Sequence, residues 1–303
     1  MSNLTKQCEQ ECRVLASCDA VELVVEPKEK ELGGFSVRRV LPNRQRKMVG
    51  PWIFFDHMGP ARFPPGEGVN VRPHPHIGIA TVTYLFEGEI LHRDSLGSYQ
   101  AIRPGDINLM VAGSGIVHSE RERAEVAREE RVIHGLQLWL VLPEAQEEIA
   151  PAFYHYPSET IPSLDIDGVD VRVIMGSAYG HTSPVNVFSD TLYLEADIKA
   201  GQRLKLPSSP ERAVYVAKGA LQIGGTEVPQ HTMAFLHGDT TVVEAKSDTR
   251  IAVVGGEPLG HRFIEWNFVS SRKERVEQAK ADWQSQRFAK VPGDEDEYIP
   301  LPS

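Results

Sequence analysis

Two short stretches of the chain carry side chains of the type and spacing that bind metal ions. In Arg72-Pro73-His74-Pro75-His76-Ile77-Gly78 the two histidines lie two residues apart. On a strand such a pair points to one face, because side chains alternate sides with a period of two. Pro75 between them removes a ladder donor, which places the pair at a strand start or a sheet edge. In Gly113-Ser114-Gly115-Ile116-Val117-His118-Ser119-Glu120, His118 and Glu120 share a face by the same rule. Three imidazoles and one carboxylate form a ligand set suited to one divalent ion of Fe, Mn, Ni, Cu or Zn. Four protein ligands on an octahedral ion leave positions for water, a substrate or oxygen. A single histidine is more often a satisfied structural residue; the ordered combination of H-x-H and H-x-E carries the reading.

The elements that would position these residues are short β runs punctuated by Gly, Pro and Asp. Ala80–Phe86, Leu136–Val141, Val171–Ile174, Leu192–Leu194, Ala213–Val216 and Arg250–Val254 are rich in β-branched and aromatic residues. Frequent turn residues between such runs suit an antiparallel sandwich or barrel rather than alternating βαβ units. One helix is expected, over residues 271–290, opened by a capping box of Ser271 and Glu274. Val276, Ala279 and Trp283 share one of its faces and are expected to pack on the second half of the chain. Pro143 to Ile149 reads as a linker, and Pro292 to Glu297 as a solvated acidic arm.

The plan is used twice. Val82–Gly88 is followed by Pro104-Gly105-Asp106, and Val214–Gly219 is followed at similar distance by His237-Gly238-Asp239. In each half an apolar strand ends in glycine before a later Gly-Asp turn, which points to two barrels of one design. The expected domains are 1–150, with the first 20 or so residues an irregular arm, and 151–303. The second half has Lys205, Pro207, Ile251 and Val253 where ligands would have to stand, so a metal-free second barrel is expected. His231, His237 and His261 lack paired spacing. His57 and His92 are expected at turns or the rim, and His134 as a satisfied strand histidine.

At 303 residues the chain is long enough for two domains with cores of their own. A net charge of −10 weighs against direct nucleic-acid binding, which needs a basic surface. Neither a G-x-x-x-x-G-K-[ST] nor a G-x-G-x-x-G loop follows a strand, which removes the common nucleotide-dependent classes. No apolar run nears the roughly 20 residues of a membrane helix, and the N-terminal stretch lacks the features of a secretory signal. A cytoplasmic address is expected by default. Cys8, Cys12 and Cys18 have no histidine nearby and read as ordinary thiols.

H-x-H before a strand ending in Glu87-Gly88, then Pro104-Gly105-Asp106, then H-x-E, has the order of the two cupin motifs. His74–Gly78, Tyr84–Gly88, Asp94–Gly97, Met110–Ile116 and His118–Glu120 together resemble the pirin family. The likeness continues through Gly135–Trp139, Gly256–Leu259 and the expected helix. It implies an all-β fold of two tandem cupin, jelly-roll-type barrels with a short linker and a C-terminal helix. It further implies a metal, usually iron, on the residues matching His74, His76, His118 and Glu120. Some members have quercetin 2,3-dioxygenase activity, opening a flavonol with dioxygen and releasing carbon monoxide. Glu120 would there serve as ligand or transient base. Other members are metal- or redox-responsive regulators that bind protein partners, so a non-enzymatic function is the second reading. One departure stands out. Many pirins carry a glutamate shortly after H-x-H, where this chain has Ala80; the resemblance places that position near the metal.

Overall fold

The computed structural model describes residues 20–32, 35–237 and 241–302. Cys8, Cys12, Cys18 and the Gly238-Asp239 turn lie outside the described residues. The chain divides into two compact units whose boundaries are not those of a simple cut. One unit comprises residues 28–161, 184–189 and 259–303, and the other residues 1–27, 162–183 and 190–258.

The first unit is built from β2 (Lys28–Glu31), β3 (Ser36–Leu41), β4 (Trp52–Phe63), β5 (Val71–His76), β6 (Ile79–Glu87) and β7 (Ile90–Asp94). It continues with β8 (Tyr99–Ile102), β9 (Ile107–Val111), β10 (Ile116–Arg121), β11 (Arg131–Val141) and β12 (Ala152–Tyr156). A seven-stranded sheet in the order β12-β9-β6-β11-β4-β3-β2 belongs with a four-stranded sheet in the order β5-β10-β7-β8. All these pairings are antiparallel, as the turn-rich pattern requires. The second unit repeats the plan. β1 (Val21–Val25) pairs with Met233–Leu236 at one edge of a seven-stranded sheet, beside a four-stranded one. Aliphatic side chains, among them Val171, Leu194, Val214, Ile251 and Val253, form its core. Both units pair a seven-stranded with a four-stranded sheet, and the fold is all-β with a single α-helix among the described residues.

Three expectations are corrected. The helix α1 spans Lys273–Gln284 and belongs to the first barrel, not the second. Its buried face is the expected one, Val276, Ala279 and Trp283, but it packs with Ile77, Val117 and Phe268. Each such side chain withdrawn from water contributes on the order of 1.5–3 kcal/mol, which outweighs proximity in sequence. Second, the helix has no side-chain cap. Ser271 instead donates its hydroxyl and its backbone N–H to the buried carboxylate of Glu147. That carboxylate also pairs with the buried Arg262 at 2.7 Å. The stretch Pro143–Ile149 is therefore a fixed part of the first barrel rather than a linker.

Third, the acidic tail is pinned. Arg121 forks onto Asp294 at 2.9 and 2.7 Å and reaches Glu297 at 2.8 Å. Arg93 donates to the Gly293 carbonyl, and Ile299 donates its N–H to the Pro73 carbonyl. Four acidic residues in a stretch of six suggest solvation, but two arginines, Arg121 and Arg93, hold the chain there.

Candidate metal centre

β5 and β10 lie side by side, with His118 opposite His74 and Ile116 opposite His76. β5 is the edge strand of its sheet, which accommodates Pro75 without loss of a central ladder bond. Two glycines make the approach possible. Gly113, at φ +51°, turns the chain into β10, and a Cβ there would lie 2.1 Å from the Ile149 carbonyl. Gly78, at φ +70°, lets the Val269 carbonyl come equally close to the end of the H-x-H strand. This second contact brings the C-terminal segment to the site.

His74, His76 and His118 each direct one ring nitrogen to a common point, the three atoms lying within 4.8 Å of one another. Their ring centroids are 4.3–5.1 Å apart. Among the described residues this is the one such cluster of three or more potential ligands. Burial drives all three imidazoles toward neutrality. It lowers His74 to about 4, against a small opposing effect of the Arg72 carbonyl. It holds His76 and His118 well below the ordinary value, helped by the neighbouring imidazoles. Neutral imidazoles are what a metal ion requires, since the lone pair must be free. His74 Nδ1 lies 2.9 Å from the Arg72 carbonyl, which makes Nδ1 the donor and Nε2 the free atom. His76 makes a backbone hydrogen bond with Asn267, while its Nδ1 is buried with no protein partner. His118 Nε2 is buried and unpartnered in the same way. Orphaned buried nitrogens cost free energy unless something binds them. The donor set thus fits a divalent transition ion.

Glu120 lies on the same cavity but outside the tight nitrogen cluster. The pairing of β10 with β5 shifts register between His118 and Glu120, which sets Glu120 opposite Val71. Gln137 of β11 donates to its Oε1 at 2.8 Å. Burial pushes the carboxyl up to about 7, partly offset by that hydrogen bond. The structure therefore brings three of the four expected ligands together and places the fourth beside them.

The cavity next to the histidines measures about 460 Å³, within the range of small-molecule sites. One wall is aromatic. Phe54 and Trp139 stack at 3.8 Å and 7°, and Trp139 meets His76 edge-on at 4.8 Å. Arg39 covers the other face of Phe54 at 4.3 Å and forks onto the buried Asp56 at 2.9 and 2.8 Å. Trp266, Asn267 and Ile299 also line the cavity. None of these wall residues stands out by type in the sequence. Gln137 and Trp139 alternate inward along β11, and that period of two was the available signal.

The register also corrects the expectation for Ala80. On β6, Thr81 pairs with Trp139 and Thr83 with Gln137, so both share the cavity face. Ala80 pairs with Leu140 on the opposite face and is fully buried there. It is not beside the metal site. His57 and His92 are likewise not at turns or the rim. His57 is buried in β4, bonded to His134 at 2.8 Å, and His92 is buried in β7. His134 is the satisfied strand histidine expected.

The pirin family model matches residues 34–140, and the model of the pirin C-terminal cupin domain matches residues 193–289. A pirin-like protein of Caulobacter vibrioides is 48% identical over 93% of this chain and 99% of its own length. This chain belongs to the pirin family. It is also 40% identical, over 83% of its length and 80% of the relative's, to a Pseudomonas aeruginosa protein provisionally named a quercetin 2,3-dioxygenase. Among solved structures, a quercetin 2,3-dioxygenase from Acinetobacter baumannii superposes with a TM-score of 0.86 at 34% identity. That likeness covers 93% of this chain and 95% of the other. The two family-model matches fall one on each half of the chain, in keeping with its two barrels. No helix among the described residues is long and apolar enough to cross a membrane.

Proposed function

We propose that this pirin is a metal-dependent dioxygenase that opens flavonols such as quercetin, with His74, His76, His118 and Glu120 as the ligands of one ion. Iron is the expected ion, with Mn, Ni, Cu and Zn compatible with the same nitrogen and oxygen donors. The observation that carries the reading is the junction of three neutral histidines with an aromatic-walled cavity. The names of the Pseudomonas and Acinetobacter relatives agree with it.

When bound, the ion would lower the pKa of a coordinated hydroxyl and make an electron-rich phenolate available to oxygen. The remaining roles fall to the chain. Phe54 and Trp139, stacked on each other, give the cavity an aromatic lining against which a planar substrate can pack. Glu120, on the same cavity as the histidines, is placed to take the proton of a phenolic hydroxyl. Gln137 fixes the orientation of that carboxylate through Oε1. Trp266 and Ile299, which also line the cavity, add apolar surface that disfavours water there.

Iron-loaded protein should bleach the near-visible absorption of quercetin and consume oxygen in step. Protein that holds its ion but does neither, across several metals and flavonols, would favour a regulatory protein that binds partners instead.

A further inference from the structure

His118 has a second environment behind the cavity. β7 runs along β10, with Asp94 opposite His118 and His92 opposite Glu120. His118 Nδ1 lies 3.4 Å from His92 Nδ1, and His92 Nε2 lies 2.9 Å from Asp94 Oδ2. Asp94 is fully buried, and its Oδ1 accepts the backbone N–H groups of Leu96 at 2.9 Å and Ser98 at 3.0 Å. Phe153 stacks on His92 at 4.2 Å and 14°, which fixes the plane of that ring.

With His92 as the neutral imidazole, these contacts determine where each proton sits. A carboxylate only accepts, so His92 Nε2 must carry the hydrogen that faces Asp94. A neutral His92 then has its lone pair on Nδ1, and His118 Nδ1 must supply the hydrogen between the two rings. That leaves the His118 lone pair on Nε2, which is the buried atom without a protein partner. We propose that His92 and Asp94 are positioning residues that lock His118 in the Nδ1–H tautomer and so present its Nε2 lone pair to the metal cavity. The chain of donors runs His118 to His92 and ends on Asp94, whose other oxygen accepts from two backbone amides. A ligating histidine whose far nitrogen is held in this way keeps both its ring orientation and its basicity. The inference rests on the metal-site reading above but not on the dioxygenase activity.

The proposal makes a prediction that a packing role would not. Asp94→Asn can keep its oxygen for the Leu96 and Ser98 amides, so its NH2 group faces His92 Nε2. His92 must then accept at Nε2 and carry its hydrogen on Nδ1. That hydrogen points at His118 Nδ1 and moves the His118 proton to Nε2, the ligand atom. The inversion passes through two hydrogen bonds with no change of volume.

Long-range proton–nitrogen correlation spectra of metal-free, full-length protein with labelled histidines read the tautomer directly. The wild type should show His118 as Nδ1–H, and Asp94→Asn should show it as Nε2–H. Cobalt(II) affinity, measured by competition with a chromophoric chelator, should fall about 10- to 100-fold in Asp94→Asn, the range for partners of metal ligands. His92→Phe keeps the stack on Phe153 but offers no acceptor, and it too should weaken cobalt binding. An Nε2–H tautomer in the wild type, or wild-type cobalt affinity in Asp94→Asn, would overturn the proposal. Neither readout involves a flavonol, so failure of the dioxygenase reading leaves the test intact. A wild type that binds no cobalt yet shows the Nδ1–H tautomer would refute the metal site and not the lock.

Discussion

Glu120→Gln separates the carboxylate's two proposed roles. The amide has the shape of the acid, and its oxygen can still accept the hydrogen bond that Gln137 donates at 2.8 Å. The fold should therefore be unaffected. What is lost is the negative charge toward the ion and the ability to take a proton. Three histidine nitrogens within 4.8 Å of one another remain, so most of the metal should stay bound. Removing a positioned proton acceptor typically costs 10²–10⁴ in rate. Because an amide is also a weaker ligand, we expect kcat for quercetin to fall at least a hundredfold, about 3 kcal/mol of barrier. The assay is oxygen uptake and quercetin bleaching, normalised to the metal content of each preparation. A variant that holds its metal and turns over within threefold of the wild type would show that Glu120 moves no proton.

Glu147→Ala should destabilise the first barrel by about 3–5 kcal/mol in urea denaturation, because it strands the buried Arg262 without its partner. It also removes the acceptor of Ser270 and Ser271 at the start of α1. The tail clasp should open in acid. Burial works to raise the Asp294 carboxyl, but Arg121 outweighs it and holds the group below the ordinary carboxylate range. A depressed carboxylate stabilises the folded form above its unfolded pKa and loses that effect as pH falls through its folded value. Hydrogen exchange of residues 292–300 should thus stay slow at neutral pH, accelerate only in acid, and be fast at neutral pH in Arg121→Ala. Ala80→Glu should not raise turnover. It buries a carboxyl without a partner on the face away from the cavity, at a cost of roughly 2–7 kcal/mol, visible as a lowered melting temperature.

The parts of this protein legible in its sequence were those governed by period and local spacing. Alternation and turn residues gave the all-β fold and the repeated barrel, and the H-x-H and H-x-E spacings gave the candidate ligands on β5 and β10. Pro75 even indicated an edge strand. What could not be read depended on contacts distant in the chain. Helix α1 and the tail return to the first barrel because Ile77, Val117 and Arg121 offer the apolar face and the charge that they match. No local pattern encodes such a return. The His92–Asp94 pair behind His118 was visible as residues but not as a chain of hydrogen bonds, since β7 and β10 are brought together only by the sheet order. Ala80 was placed on the wrong side because a motif aligned by distance says nothing about which face a residue takes. One step of register decides it.

The central claim is that His74, His76 and His118 hold one divalent transition ion in the first barrel. Elemental analysis after reconstitution with excess ferrous iron under anaerobic conditions, followed by removal of loose metal, tests it most directly. The wild type should retain one ion per chain, and His76→Ala combined with His118→Ala should retain close to none while keeping its β-sheet circular dichroism. The second barrel, with aliphatic Ile251 and Val253 in its core, should add nothing to the count. A doubly substituted protein that still holds one equivalent, or a wild type that tightly holds two, would contradict the account.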